Sequence, residues 1–107
     1  MATVSTHILD TALGKPASGV QVALEREGVF QGQAVTDQDG RIREWGARAP
    51  LKPGSYRLVF SVGNYFGSRN VASLYSAITV DFVVGDDSHY HVPLLLSPFG
   101  YSTYRGS

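Results

Sequence analysis

The chain's three histidines carry most of the chemistry its composition permits. There is no cysteine among its 107 residues, so thiolate nucleophiles and Cys-type zinc sites are excluded. An imidazole titrates near neutrality and is the side chain best suited to moving a proton. If the opening run Thr3 to Asp10 is a strand with Val4 and Ile8 turned inward, His7 shares the opposite face with Ser5 and Leu9. The same alternation over His89 to Leu96 sends Tyr90, Val92, Leu94 and Leu96 into a core and leaves His89, His91, Pro93 and Leu95 on the other face. His7 and His91 therefore face outward from strands far apart in the sequence. Solvation is the ordinary fate of an outward histidine, and His89, beside a turn, takes that reading. A metal site built from all three histidines is the chemical alternative, but no carboxylate recurs at a helpful spacing, so no metal or other cofactor is expected.

The end of the chain is the second unusual feature. Tyr101, Ser102, Thr103, Tyr104, Arg105 and Ser107 crowd polar and aromatic groups where a frayed tail is the norm. An edge strand blunted by Arg105 and hydroxyls explains this as protection against aggregation. A tail held in place for function explains it equally well.

Positioning these groups falls to short β-rich runs separated by Gly, Pro and Asp. The pattern predicts roughly eight strands, hence an all-β sandwich of two antiparallel sheets. The strands are expected at Thr3 to Asp10, Val20 to Glu25, Val29 to Thr36, from Arg41 onward, Tyr56 to Val62, Ile78 to Val84, His89 to Leu96 and Tyr101 to Gly106. Asp37-Gln38-Asp39-Gly40 reads as a tight hairpin turn. Pro93 cannot donate to a ladder, which predicts a bulge or an edge in the penultimate strand. Alternation lapses from Gly63 to Leu74, where Asn64 is placed to cap one short helical turn.

Length and composition suit one domain, residues 1–107, able to bury a core unaided. Nine basic and nine acidic residues are spread evenly, with formal net charge zero. That gives no footprint for nucleic acid or an anionic membrane, and a small neutral or weakly charged ligand suits the chain better. No apolar run is long enough to span a bilayer, and the opening residues lack a basic and an apolar region, so a cytoplasmic protein is expected. Nucleophile elbows, phosphate-binding glycine loops and RNA-binding aromatic signatures are missing from the sequence.

Three segments give the chain a resemblance to a known family: Ser5 to Thr11 at the start, Thr36 to Arg41 at the turn, and His89 to Ser107 at the end. It resembles the transthyretin-like family, and within it the 5-hydroxyisourate hydrolases. The ending Tyr104-Arg105-Gly106-Ser107 discriminates, since the hormone-carrying transthyretins lack it. The resemblance implies a transthyretin-like sandwich of eight strands and one short helix. It further implies pairing through edge strands and a homotetramer (dimer of dimers) with sites at the dimer-dimer contact.

The same resemblance puts function on His7, Arg41, His91 and the tail residues Tyr104, Arg105, Gly106 and Ser107. Its implied reaction is metal-independent hydrolysis of 5-hydroxyisourate to 2-oxo-4-hydroxy-4-carboxy-5-ureidoimidazoline in urate catabolism. In that reading His7 or His91 activates water and Arg41 stabilises the oxyanion, while Tyr104 and Ser107 orient substrate or an imidazole. A carrier that binds a small aromatic ligand without chemistry is the competing reading. The chain departs from many family members at Ser76, where a proline is usual, which bears on entry into the following strand.

Overall fold

The computed structural model describes residues 2–46 and 51–107. In chain order its elements are β1 (Thr3–Asp10), β2 (Lys15–Pro16), β3 (Gln21–Arg26), β4 (Val29–Val35), β5 (Arg41–Ile42), β6 (Gly54–Phe60), α1 (Val62–Ser68), β7 (Ile78–Val84), β8 (His89–His91), β9 (Leu94–Ser97) and β10 (Gly100–Thr103). They form two sheets, one in the order β4-β3-β6-β7 and one built around β1. Val22, Leu24, Leu58 and Phe60 of the first sheet join Val4, Ile8, Leu94 and Leu96 of the second in one buried cluster. Burying each such side chain contributes about 1.5–3 kcal/mol. Period two therefore fixes which face of each strand carries polar groups outward. The all-β sandwich expected from the sequence is the fold observed.

Strand β1 is central to its sheet. One of its edges pairs antiparallel with β2 and β5, and the other runs parallel to β8 and β9. The expectation of two purely antiparallel sheets is corrected here, because a long connection returns the chain beside its own first strand in the same direction. The penultimate strand is also interrupted at Val92-Pro93, giving two short strands. Pro93 makes neither a bulge nor an edge: Ser5 stays opposite His91 and Ile8 opposite Leu94, so the register is unchanged across the break. Its missing N–H stops the ladder for two residues, and side chains bridge the gap, with Thr6 Oγ1 donating to the Val92 carbonyl at 2.6 Å and Thr103 Oγ1 to the Pro93 carbonyl at 2.7 Å.

Helix α1 begins earlier than its composition suggested. Ser61, not Asn64, is its N-cap residue, and Asn64 lies inside the helix. Burial decides the boundary: Val62, Tyr65 and Phe66, at 0%, 3% and 2% exposure, share one face at helical spacing. The Tyr65 hydroxyl donates to Asp10 Oδ2 at 2.8 Å, anchoring the helix to the end of β1, and burial together with this bond pushes its pKa up to about 12. At Ser76 the backbone carbonyl accepts the Gly63 N–H at 3.0 Å, so entry into β7 is fixed without proline.

Candidate active site

The site begins with a corner. Asp37 to Gly40 was expected to close a hairpin, but β4 and β5 belong to different sheets, so this turn carries the chain across the sandwich. Asp37 Oδ1 accepts the N–H groups of Asp39 and Arg41, both at 2.9 Å, and Gly40 N–H returns to the Asp37 carbonyl at 2.9 Å. The Arg41 N–H in particular holds the Asp37 carboxyl below the usual carboxylate range. Gly40 has φ +73°, and a Cβ there would lie 2.5 Å from the Ile8 carbonyl oxygen, so only glycine fits so close to β1. The corner thus delivers Arg41 directly opposite His7.

Residues paired across neighbouring strands project to the same side. His7 therefore shares a face with Arg41, Ser5 with His91, and Thr3 with His89. A cleft on this face is lined by Arg41 and Arg43 on one side, His89 and His91 on the other, and Ser5, Thr6 and Ser107 between them. His7 is half-buried on the same face but does not line the cleft.

His91 is tied down on two sides. Its Nδ1 lies 2.7 Å from Ser5 Oγ, and that oxygen is also 3.0 Å from His89 Nε2. The ring's Cδ2 edge packs on Gly106, where an added Cβ would come within 2.5 Å of it. Gly106 is held in turn by its N–H, which donates to the His91 carbonyl at 2.8 Å. Burial, and after it the charges of Arg41, His89, His7 and Arg43, push the His91 pKa below the ordinary 6.5. A neutral imidazole at neutral pH is the form that accepts a proton.

The tail divides between two places. Ser107 lines the cleft and Gly106 packs on the His91 ring beside it, whereas Tyr104 and Arg105 lie in another hollow, against Val80, Phe82, Tyr90 and Val92. Within one chain Tyr104 and Arg105 thus lie apart from the cleft that Ser107 lines. The reason is geometric: the expected last strand ends at Thr103, and only an isolated bridge from Gly106 to His91 brings the chain back. Arg105 serves as an anchor. Its Nη2 donates to Asp87 Oδ2 at 3.0 Å and to the His89 carbonyl at 3.2 Å, and its guanidinium lies 4.6 Å from the centre of the Tyr90 ring.

Ser5 and Arg43 carry no mark in the sequence that singles them out, and His89 beside its turn has the pattern of a solvated histidine. All three nevertheless stand two residues from His7, Arg41 or His91, on the same side by alternation. That spacing was the available signal. Among the described residues, no group of three or more His, Asp or Glu side chains is arranged to hold a metal ion.

The HIUase/Transthyretin family model matches residues 4–106. The chain belongs to this family. A 5-hydroxyisourate hydrolase of Salmonella dublin is 48% identical over 109 residues, spanning 97% of this chain and 80% of that protein. One of Caulobacter vibrioides is 45% identical with both chains fully covered. Among solved structures, the Klebsiella pneumoniae 5-hydroxyisourate hydrolase superposes with TM-score 0.92 at 45% identity, covering 99% of this chain and 100% of that one. Sea bream transthyretin in complex with thyroxine superposes with TM-score 0.86 at 27% identity over 96% of this chain and 93% of that one. The fold is thus common to a 5-hydroxyisourate hydrolase and to a transthyretin in complex with thyroxine, and the side chains of the cleft have to distinguish them.

Proposed function

We infer that this chain is a hydrolase of 5-hydroxyisourate, acting in urate breakdown. The carrying observation is the cleft itself: two histidines, one of them the neutral His91, two guanidiniums and hydroxyls line it, and among the described residues no apolar side chain does. A carrier of apolar aromatic ligands needs apolar walls, so this lining favours the hydrolase among the family's functions.

The chemistry follows from the donors present. His91 takes a proton from water through Nε2, and the resulting hydroxide adds to the ring carbonyl. Arg41 faces the developing oxyanion with a planar, permanent positive charge. As the tetrahedral intermediate collapses the ring C–N bond breaks, and the imidazolium returns its proton to the departing nitrogen. The product is 2-oxo-4-hydroxy-4-carboxy-5-ureidoimidazoline. Arg43 and Ser107 are positioned to hold the polar edges of the substrate, and His7 supports the charge balance around His91. Gly106 acts by seating His91, and Tyr104 and Arg105 hold the tail in its course.

The cleft of one chain encloses about 170 Å³, below the roughly 300–1,000 Å³ of complete ligand sites. A half-site completed by apposition of two such faces accounts for this, as in a homotetramer formed from two dimers. Excluding water there strengthens the pull of Arg41 on developing charge. Activity per chain is then expected to fall on dilution to monomers.

The test is to generate 5-hydroxyisourate freshly from urate with an oxidase and follow its ultraviolet absorbance. The protein should accelerate the decay, and His91→Ala should lose about 10²–10⁴ of that acceleration. Decay unchanged by the wild-type protein would overturn the assignment.

A further inference from the structure

A base at His91 works only in one of its two neutral tautomers. With Nδ1 facing Ser5 and Cδ2 packed over Gly106, Nε2 is the ring nitrogen left for the cleft, and it makes no hydrogen bond among the described residues. It must carry a lone pair, so Nδ1 must carry the hydrogen. A serine hydroxyl does not by itself enforce this, because it donates or accepts equally well. Something beyond Ser5 has to set its direction.

The contacts continue past Ser5. Its Oγ lies 3.0 Å from His89 Nε2, His89 Nδ1 lies 2.5 Å from Thr3 Oγ1, and Thr3 Oγ1 lies 3.5 Å from the Ser88 carbonyl oxygen. A carbonyl only accepts, so the row has a fixed end. With the Thr3 hydroxyl donating to Ser88 across this long contact, His89 donates from Nδ1 and accepts at Nε2. Ser5 then donates to His89 and accepts from His91. The hydrogen falls on His91 Nδ1, and the lone pair on Nε2. The opposite end agrees: Arg41 and Arg43 line the cleft with His91, and two cations there disfavour an N–H dipole aimed at them and favour a lone pair.

We propose that Thr3, His89 and Ser5 form a polarised hydrogen-bond relay that keeps His91 in its Nδ1–H tautomer, making His89 a positioning residue and not a bystander. No proton travels along the row. It selects the tautomer and, once His91 has accepted a proton at Nε2, continues to accept from Nδ1. The proposal rests on His91 being the base, and it deepens that reading by naming what orients the base. The titratable and charged groups around the ring are Arg41, Arg43, His7 and His89.

The experiment uses the intact protein. Long-range proton–nitrogen correlation spectra of ¹⁵N-labelled protein at a pH where His91 is neutral should show Nδ1 protonated and Nε2 bare. The reverse pattern in the wild type overturns the relay even if His91 proves essential. A fully active His91→Ala would instead remove the base assignment while leaving the ring pattern to report on the relay. Ser5→Ala should lower kcat by about 10- to 100-fold, the range typical of lost orienting partners, leave KM within about two-fold, and shift the His91 ring signals toward Nε2–H. Should the buried Ser5 not tolerate this change, the His89 variants decide. His89→Leu should show the same loss, while His89→Gln, whose Oε1 can accept from Ser5, should recover most of kcat and the wild-type ring pattern. Equal impairment in both His89 variants with unaltered His91 signals would show a merely structural role and refute the proposal.

Discussion

Adding one methyl group at Gly106 isolates the contact that seats His91. A Cβ at this position would lie 2.5 Å from His91 Cδ2, 3.3 Å from His91 Cγ and 3.2 Å from Pro93 Cγ. Carbon atoms sit comfortably at about 3.5–4.0 Å, so Gly106→Ala demands a separation greater by roughly 1 Å. Pro93 is fixed between β8 and β9, and the tail is tied by the Gly106 N–H bond to the His91 carbonyl at 2.8 Å. The imidazole therefore takes up the displacement, turning away from the cleft and stretching its bond to Ser5. A misplacement of about 1 Å costs on the order of 10²-fold in rate, equal to about 2.7 kcal/mol of activation free energy. The assay is ultraviolet decay of freshly generated 5-hydroxyisourate, with kcat and KM measured separately. The loss should fall mainly on kcat, since Arg41 and Arg43 are untouched. Thermal unfolding should move little, because the tail lies outside the main core. Full kcat in Gly106→Ala would refute the argument that this packing positions the base.

Arg41→Lys keeps the charge but loses the planar donor fork, and kcat/KM should drop by about 10²–10³, comparable with removal of an oxyanion donor; steady-state kinetics checks this. Because the His91 pKa is depressed below 6.5, its base form is already present at neutral pH. The pH profile of kcat/KM should therefore be flat through pH 7 and fall only on the acid side of 6.5, whereas a fall beginning above neutrality would contradict the assignment. The same depression means that the unfolded chain binds more protons, so the stability His91 confers is fully present above pH 6.5 and lost as pH falls through its folded value; urea titrations in that window test the sign. Tyr65→Phe removes the 2.8 Å bond to buried Asp10, which should cost about 1–3 kcal/mol in chemical denaturation and leave kcat unchanged.

The polarity of each strand face was legible in the sequence because alternation is a local property of extended chain. Val4 and Ile8 face in, and so do Val92, Leu94 and Leu96, which turns His7 and His91 outward as their neighbours require. The Asp-Gly turn before Arg41 could be read for the same reason, since its bonds close within five residues. What alternation does not carry is the partner across the gap. The parallel pairing of β1 with β8 and β9 joins residues 86 positions apart. Nothing local encodes that register.

The sequence alone thus determined an all-β chain with outward histidines and a polar tail, because side-chain alternation and turn chemistry are set by near neighbours. Only the tertiary structure decided that Ser5 stands between His89 and His91, that Arg105 anchors against Asp87 and Tyr90 instead of entering the cleft, and that Gly106 packs on the imidazole. Each of those contacts depends on how the two ends of the chain lie beside one another. That arrangement is fixed by burial of the shared core and not by any run of residues within a strand.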